Sequence, residues 1–187
     1  MRLTQPRVEP LDVATASPEL RDQLAKLAGG DLGRGRVLNI FATLAHHPEL
    51  MKRWLVFGNH VLGKSTLPER ERELAILRVG YLCQSEYEWG QHVLIARRCK
   101  IDDTEIARVA AGPDAPGWSA ADAAVIRAAD ELHADQMIGD ATWAELAKTW
   151  NRQQLMDLVF TIGQYHLVAM ALNTFGVQRD PGVPPLP

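Results

Sequence analysis

The chain has 187 residues, 47% of them hydrophobic and 23% charged, and a net charge of −3. This length suffices for one domain with a real core, and the weak negative charge gives no basic footprint for nucleic acid or an anionic membrane. No apolar run approaches the length expected of a bilayer span, and the opening "MRLTQPRVEPLD" has no apolar signal core.

In chain order, helix starts recur and almost nothing reads as a strand. Ser17 with Pro18 offers an N-cap followed by a first-turn proline. "AGGDLGRGR" (28–36) is rich in glycine but lacks a following Lys-Ser/Thr pair, so it reads as a loop and not as a phosphate cradle. Thr66 stands three residues before Glu69, Ser85 three before Glu88 and Asp102 three before Glu105, each with the spacing of a capping box. Ser119, Asp140 and Asn151 supply further caps. Between these caps the apolar positions follow a helical period, as in Leu155, Leu158, Ile162, Tyr165 and Ala169. Helices are expected near 18–28, 37–46, 48–63, 68–83, 86–98, 103–111, 119–136, 141–149 and 152–175, an all-α fold in a single domain spanning 1–187. The last helix is apolar on most sides and reads as central or as buried in a subunit interface. "AGPDAPGW" (111–118) marks a connection between two helical halves. The tail "RDPGVPPLP" cannot be helical and reads as an extended arm over 180–187 or as disordered, and its prolines could lie along a neighbouring subunit. A faint echo links "GQHVLIA" (90–96) to "GQYHLVAMA" (163–171).

The chemistry concentrates in "QSEYEWGQH" (84–92). Ser85, Glu88 and His92 share one helix face, and Glu73 lies on the preceding helix, placed to approach His92 from the side. A carboxylate beside an imidazole fixes its tautomer, and in a dry pocket such a pair moves protons. The same residues also fit a structural account, with Glu88 as a capping-box glutamate and His92 as a core histidine. His60, in "FGNHVLG", is a candidate pocket residue. His46 and His47 fit a helix C-terminus, His133 a surface ion pair, and His166 a hydrogen-bonded core position. No His-x-x-x-His, Glu-x-x-His or cysteine–histidine cluster is visible, so no metal site and no cofactor are expected. Cys83 and Cys99, sixteen residues apart, make no disulfide framework, and a reducing cytoplasm fits them best.

The run "ERELAILRVGYLCQSEYEWGQHVLIARRCKIDDTEIARV" (71–109) resembles the core motif of the carboxymuconolactone decarboxylase and alkylhydroperoxidase D-like superfamily. The resemblance extends more loosely over "NIFATLAHHPELMKRWLVFGNHVL" and "QYHLVAMALNTFGV". It implies a bundle of eight or nine helices, assembled as a homo-oligomer (dimer, trimer or hexamer) with pockets between packed helices. In the peroxidase branch a glutamate precedes a Cys-x-x-Cys-x-x-x-His motif. Glu73 and His92 have that spacing, but Ser85 and Glu88 stand at the two cysteine positions, so the dithiol is missing. The decarboxylase branch carries Glu-x-x-x-His, which Glu88 and His92 match.

The resemblance thus implies a cofactor-free, decarboxylase-like acid–base enzyme on a small carboxylated or lactone substrate. In that reading Glu73, Glu88 and His92 are catalytic, and Ser85 and His60 contact substrate. The alternatives are an antioxidant enzyme using Cys83 as a peroxidatic thiol, and a non-catalytic helical oligomer that binds a small ligand.

Overall fold

The computed structural model describes residues 3–29 and 36–187. The expected glycine-rich loop falls largely on 30–35, outside the described residues. Among those described there are nine α-helices and no strand: α1 (Pro18–Gly29), α2 (Asn39–Leu44), α3 (Pro48–Gly63), α4 (Glu69–Leu82), α5 (Glu86–Arg98), α6 (Asp103–Ala111), α7 (Ala120–Asp135), α8 (Asp140–Leu146) and α9 (Arg152–Phe175).

The caps explain several of these boundaries. Asp102 with Glu105, and Asn151 with Gln154, form reciprocal capping boxes at the starts of α6 and α9. The Ser119 side chain accepts from Asp122 N at the start of α7. Three expected caps do not form. Thr66 instead donates its hydroxyl to Asp157 on α9, and α4 starts after Pro68. Gly139, one residue before Asp140, is the N-cap of α8. The Ser85 side chain makes no capping bond. His47, expected to close a helix, opens one: its Nδ1 accepts from Leu50 N at the start of α3.

Helix α4 is the hub, packed against α5, α6, α7 and α9. Its interior face is apolar through Leu74, Ile76 and Leu77, all fully buried. It also carries buried charges, each matched locally. Arg78 binds both carboxylate oxygens of Asp130 on α7 and donates to the Val109 and Ala110 carbonyls, closing the C-terminus of α6. The 111–118 segment joins α6 to α7, and both of those helices pack into one core. A second cluster, Leu24, Leu38, Phe41, Ala45 and Met51, ties α1–α3 together.

By length and composition α9 is apolar enough to cross a bilayer, contrary to the expectation that no segment approaches this. Half of its most apolar stretch is buried inside the bundle.

The tail does not need a neighbouring subunit to order it: it folds back on its own chain. Asp180 is buried and accepts hydrogen bonds from the Tyr87 hydroxyl (2.6 Å), Gln91 Nε2 (2.7 Å) and Asn39 N (3.2 Å). Val183 then packs onto Gly90 so closely that a Cβ at residue 90 would sit 2.3 Å from Val183 Cγ1 and 2.4 Å from the Pro184 carbonyl oxygen. Glycine at 90 therefore fits the tail, and a larger residue would lift it.

Candidate functional site

The site begins with a hairpin between two helices. Gln84 takes a left-handed conformation (φ 51°), Ser85 N donates back to the Gly80 carbonyl, and α5 turns to run against α4. At Gly80 the two backbones meet: a Cβ there would lie 3.2 Å from Trp89 N. Glu73 is seven residues before Gly80 and His92 seven after Ser85, so two helical turns from the bend the two side chains come level.

They are hydrogen-bonded. His92 Nδ1 lies 2.7 Å from Glu73 Oε2, and Arg72 Nε donates to Glu73 Oε1 at 3.1 Å. Glu73 is fully buried, and Arg72 and His92 nearly so. A carboxylate only accepts, so His92 Nδ1 carries a proton and Nε2 is left for chemistry. The Tyr165 ring meets the His92 imidazole edge-on, with centroids 4.7 Å apart, and fixes its plane from α9. Burial, reinforced by the charge of Glu73, pushes the Tyr165 phenol well up from its ordinary value.

Glu88 contradicts its capping-box reading. Its carboxyl is buried, and neither oxygen has a hydrogen-bond partner in the protein. Burial alone drives its pKa well above the ordinary 4.5, because a charge would be stranded in a low-dielectric site. It is held as a neutral acid, one turn from His92.

Both residues line a cavity of about 270 Å³. Its walls are largely apolar, with Phe41, Trp54, Leu62 and Val168, and its polar lining includes Tyr87, Gln91, Asn59 and Gln164. Lys26 lies at its exposed edge. Gln164 Oε1 is buried without a partner.

The structure thus brings Glu73, Glu88 and His92 together, with Glu73 behind His92 and outside the lining. Ser85 is buried at the head of α5, its hydroxyl also without a partner, and does not reach the cavity. His60 stays apart: it is half exposed near the end of α3, 3.5 Å from Asp157. Arg72, Gln164 and Tyr165 were missed as site residues. The signal for two of them was the internal echo. Aligned without a gap, Gly90-Gln91-His92 matches Gly163-Gln164-Tyr165, and the structure sets Gln91 and Gln164 on the same cavity and His92 against Tyr165.

A cysteine–histidine cluster, absent from local sequence motifs, also forms. Cys83, His133 and His166 converge from the end of α4, from α7 and from α9. His133 therefore faces His166, 3.0 Å away, in place of the surface ion pair expected for it.

Residues 48–131 match the family model for the carboxymuconolactone decarboxylase family. Among curated proteins no sequence matches significantly. The fold is similar to that of an uncharacterized peroxidase-related protein with an alkylhydroperoxidase AhpD core from Ralstonia eutropha JMP134 (TM-score 0.81, 19% identity, 94% of this chain and 93% of that one). It is also similar to an uncharacterized peroxidase-related protein from Silicibacter sp. TM1040 (0.80, 18%, 97% of each). A third similar structure is a variant of the debrominase Bmp8 in complex with 2,3,4-tribromopyrrole (0.77, 14%, 95% and 94%). Residues 48–131, on α3–α7, thus carry the sequence pattern of the carboxymuconolactone decarboxylase family, on a fold shared over nearly the whole chain with proteins that have an AhpD core.

Proposed function

We propose that the protein is a carboxymuconolactone decarboxylase-like acid–base enzyme that acts, without a cofactor, on a small carboxylated or lactone ring compound. The observation that carries this reading is Glu88, a neutral buried acid beside the Glu73–His92 pair on the wall of an apolar cavity. An apolar cavity strips water from a substrate carboxylate and favours its loss as carbon dioxide. The carbon–carbon bond breaks, its electron pair delocalises into the lactone carbonyl, and carbon takes the proton of Glu88. His92 Nε2 then returns a proton from solvent to Glu88, while Glu73 and Arg72 hold the imidazole in place. Lys26 offers a cation at the cavity edge for a second carboxylate. That a ring compound occupies a protein of similar fold, the debrominase variant, supports the substrate's shape.

Carbon dioxide release from carboxymuconolactone tests the reading. The expected result is turnover by the parent chain and a loss of about 10²–10⁴-fold in both His92→Ala and Glu88→Gln, with unchanged circular dichroism. Turnover retained in both variants, or absent in the parent chain, sinks it. The thiol alternative has less support, because Ser85 and Glu88 occupy the dithiol positions and Cys83 belongs to a different cluster.

We further infer a homo-oligomer in a reducing compartment. Met156, Phe160, Leu167 and Met170 form an exposed stripe along α9, and Phe57 of α3 meets Phe160 edge-on beside it. A contiguous apolar face of this kind fits a second copy of the chain, and neither cysteine is in a disulfide. Sedimentation is expected to show an assembly that Phe160→Glu with Leu167→Glu reduces to monomers; a monomeric parent chain refutes it.

A further inference from the structure

We infer that Cys83, His133 and His166 form a zinc-binding site separate from the acid–base cavity, with three protein ligands and a fourth position open to water. The two sites share no residue. The ligand atoms all lie within 4.8 Å of one another, with Cys83 Sγ to His133 Nδ1 at 4.0 Å and His133 Nδ1 to His166 Nε2 at 3.0 Å. Tetrahedral zinc, with bonds of about 2.0–2.3 Å, separates its nitrogen and sulfur ligands by roughly 3.3–3.8 Å. The three atoms therefore bracket the required triangle and need shifts of less than about an ångström to meet it.

The tautomer of His166 already suits a metal ligand. Its Nδ1 lies 2.8 Å from the Ile162 carbonyl oxygen, one helical turn back. A carbonyl only accepts, so Nδ1 carries the proton and Nε2 presents its lone pair to the cluster. An imidazole whose outer nitrogen donates to a backbone carbonyl is the usual arrangement of a zinc-ligating histidine. His133 is exposed near the end of α7 and adjusts by rotation. At present its Nδ1–H donates to His166; on metal binding that proton moves to Nε2 and Nδ1 becomes a ligand. The Cys83 thiol gives up its proton and binds as thiolate.

The donor set selects the metal. One thiolate and two imidazoles suit zinc, whereas magnesium and calcium require oxygen ligands. Three protein ligands leave a coordination place, as in zinc sites that activate water. Cys83 is the last residue of the α4 hairpin before the Gln84 bend, so an ion here ties α4, α7 and α9 at one end of the bundle.

Cobalt(II), a spectroscopic substitute for zinc, tests this on the full chain. The expected result is one ion per chain, visible d–d bands of tetrahedral intensity, a sulfur-to-cobalt charge-transfer band in the near ultraviolet, and displacement of cobalt by zinc. Cys83→Ser removes the charge-transfer band, and His133→Ala weakens zinc binding at least about a hundredfold, since outer-shell partners alone are worth 10–100-fold. Cys99→Ser leaves the spectrum unchanged. His133 is exposed, so its variant keeps the fold and the comparison valid if Cys83→Ser does not. A spectrum without a sulfur band, or zinc affinity unchanged in His133→Ala, overturns the proposal.

Discussion

Replacing Glu88 by methionine is expected to make the protein more stable while removing its acid. In the native state this side chain carries two costs. Its oxygens have given up water without gaining partners, worth about 1–3 kcal/mol. It also keeps a proton that the unfolded chain releases above pH 4.5, the ordinary value for this carboxyl. The second cost has a defined sign. The native state binds more protons than the unfolded state between 4.5 and the raised native pKa, so stability falls as pH rises through that window, by about 1.4 kcal/mol per pH unit. Below 4.5 both states are protonated and this part vanishes. Melting curves of the parent chain and Glu88→Met from pH 4 to 8 should therefore diverge as pH rises, with the variant ahead by several degrees at neutral pH. A constant gap, or a less stable variant, would show that Glu88 is charged or partnered in the native state. A residue whose removal strengthens the fold is one that selection retains for another reason.

Glu73 has the opposite expectation. Glu73→Ala leaves the buried Arg72 guanidinium without its carboxylate and His92 without its anchor. Breaking a buried pair from one side costs about 3–5 kcal/mol, on the order of 10 °C in melting temperature for a chain of this size. Glu73→Gln separates charge from geometry. The carboxylate accepts from donors on both sides, whereas an amide offers one acceptor and one donor, so either Arg72 or His92 faces a second N–H. The glutamine variant should remain folded, lose about 1–3 kcal/mol, and lose most of its turnover. Nitrogen-15 shifts of His92 check this directly: in Glu73→Gln they show whether the amide oxygen or its NH2 faces the ring, and an unchanged Nδ1–H tautomer in Glu73→Ala would remove Glu73 as the group that orients the ring.

Much of this could be read from the residues, because local signals and tertiary packing agreed. Asp102–Glu105 and Asn151–Gln154 are capping boxes both in spacing and in fact. The nineteen-residue interval from Glu73 to His92 places the pair level across a helical hairpin. Where spacing was the only warrant, it misled. Ser85 and Glu88 have capping-box spacing, yet packing against α4 buries both side chains and gives neither a partner. His60 is flanked by apolar residues, but its own side chain turns outward to Asp157. Cys83, His133 and His166 are separated by 50 and 33 residues, and no local motif search reaches across such intervals. The tail's prolines exclude a helix, but its order comes from Asp180 and Val183, whose partners on α5 lie about ninety positions earlier.

That tail makes the cavity and the chain's last described residues a single thermodynamic system. Asp180 holds Tyr87 and Gln91, and both belong to the cavity wall. A molecule that binds only when those two residues are in place must bind more weakly whenever the tail is detached. By reciprocity, its presence must hold the tail down by the same factor. Affinity at the centre of the bundle is thus partly written in a strand of proline-rich chain on its outside.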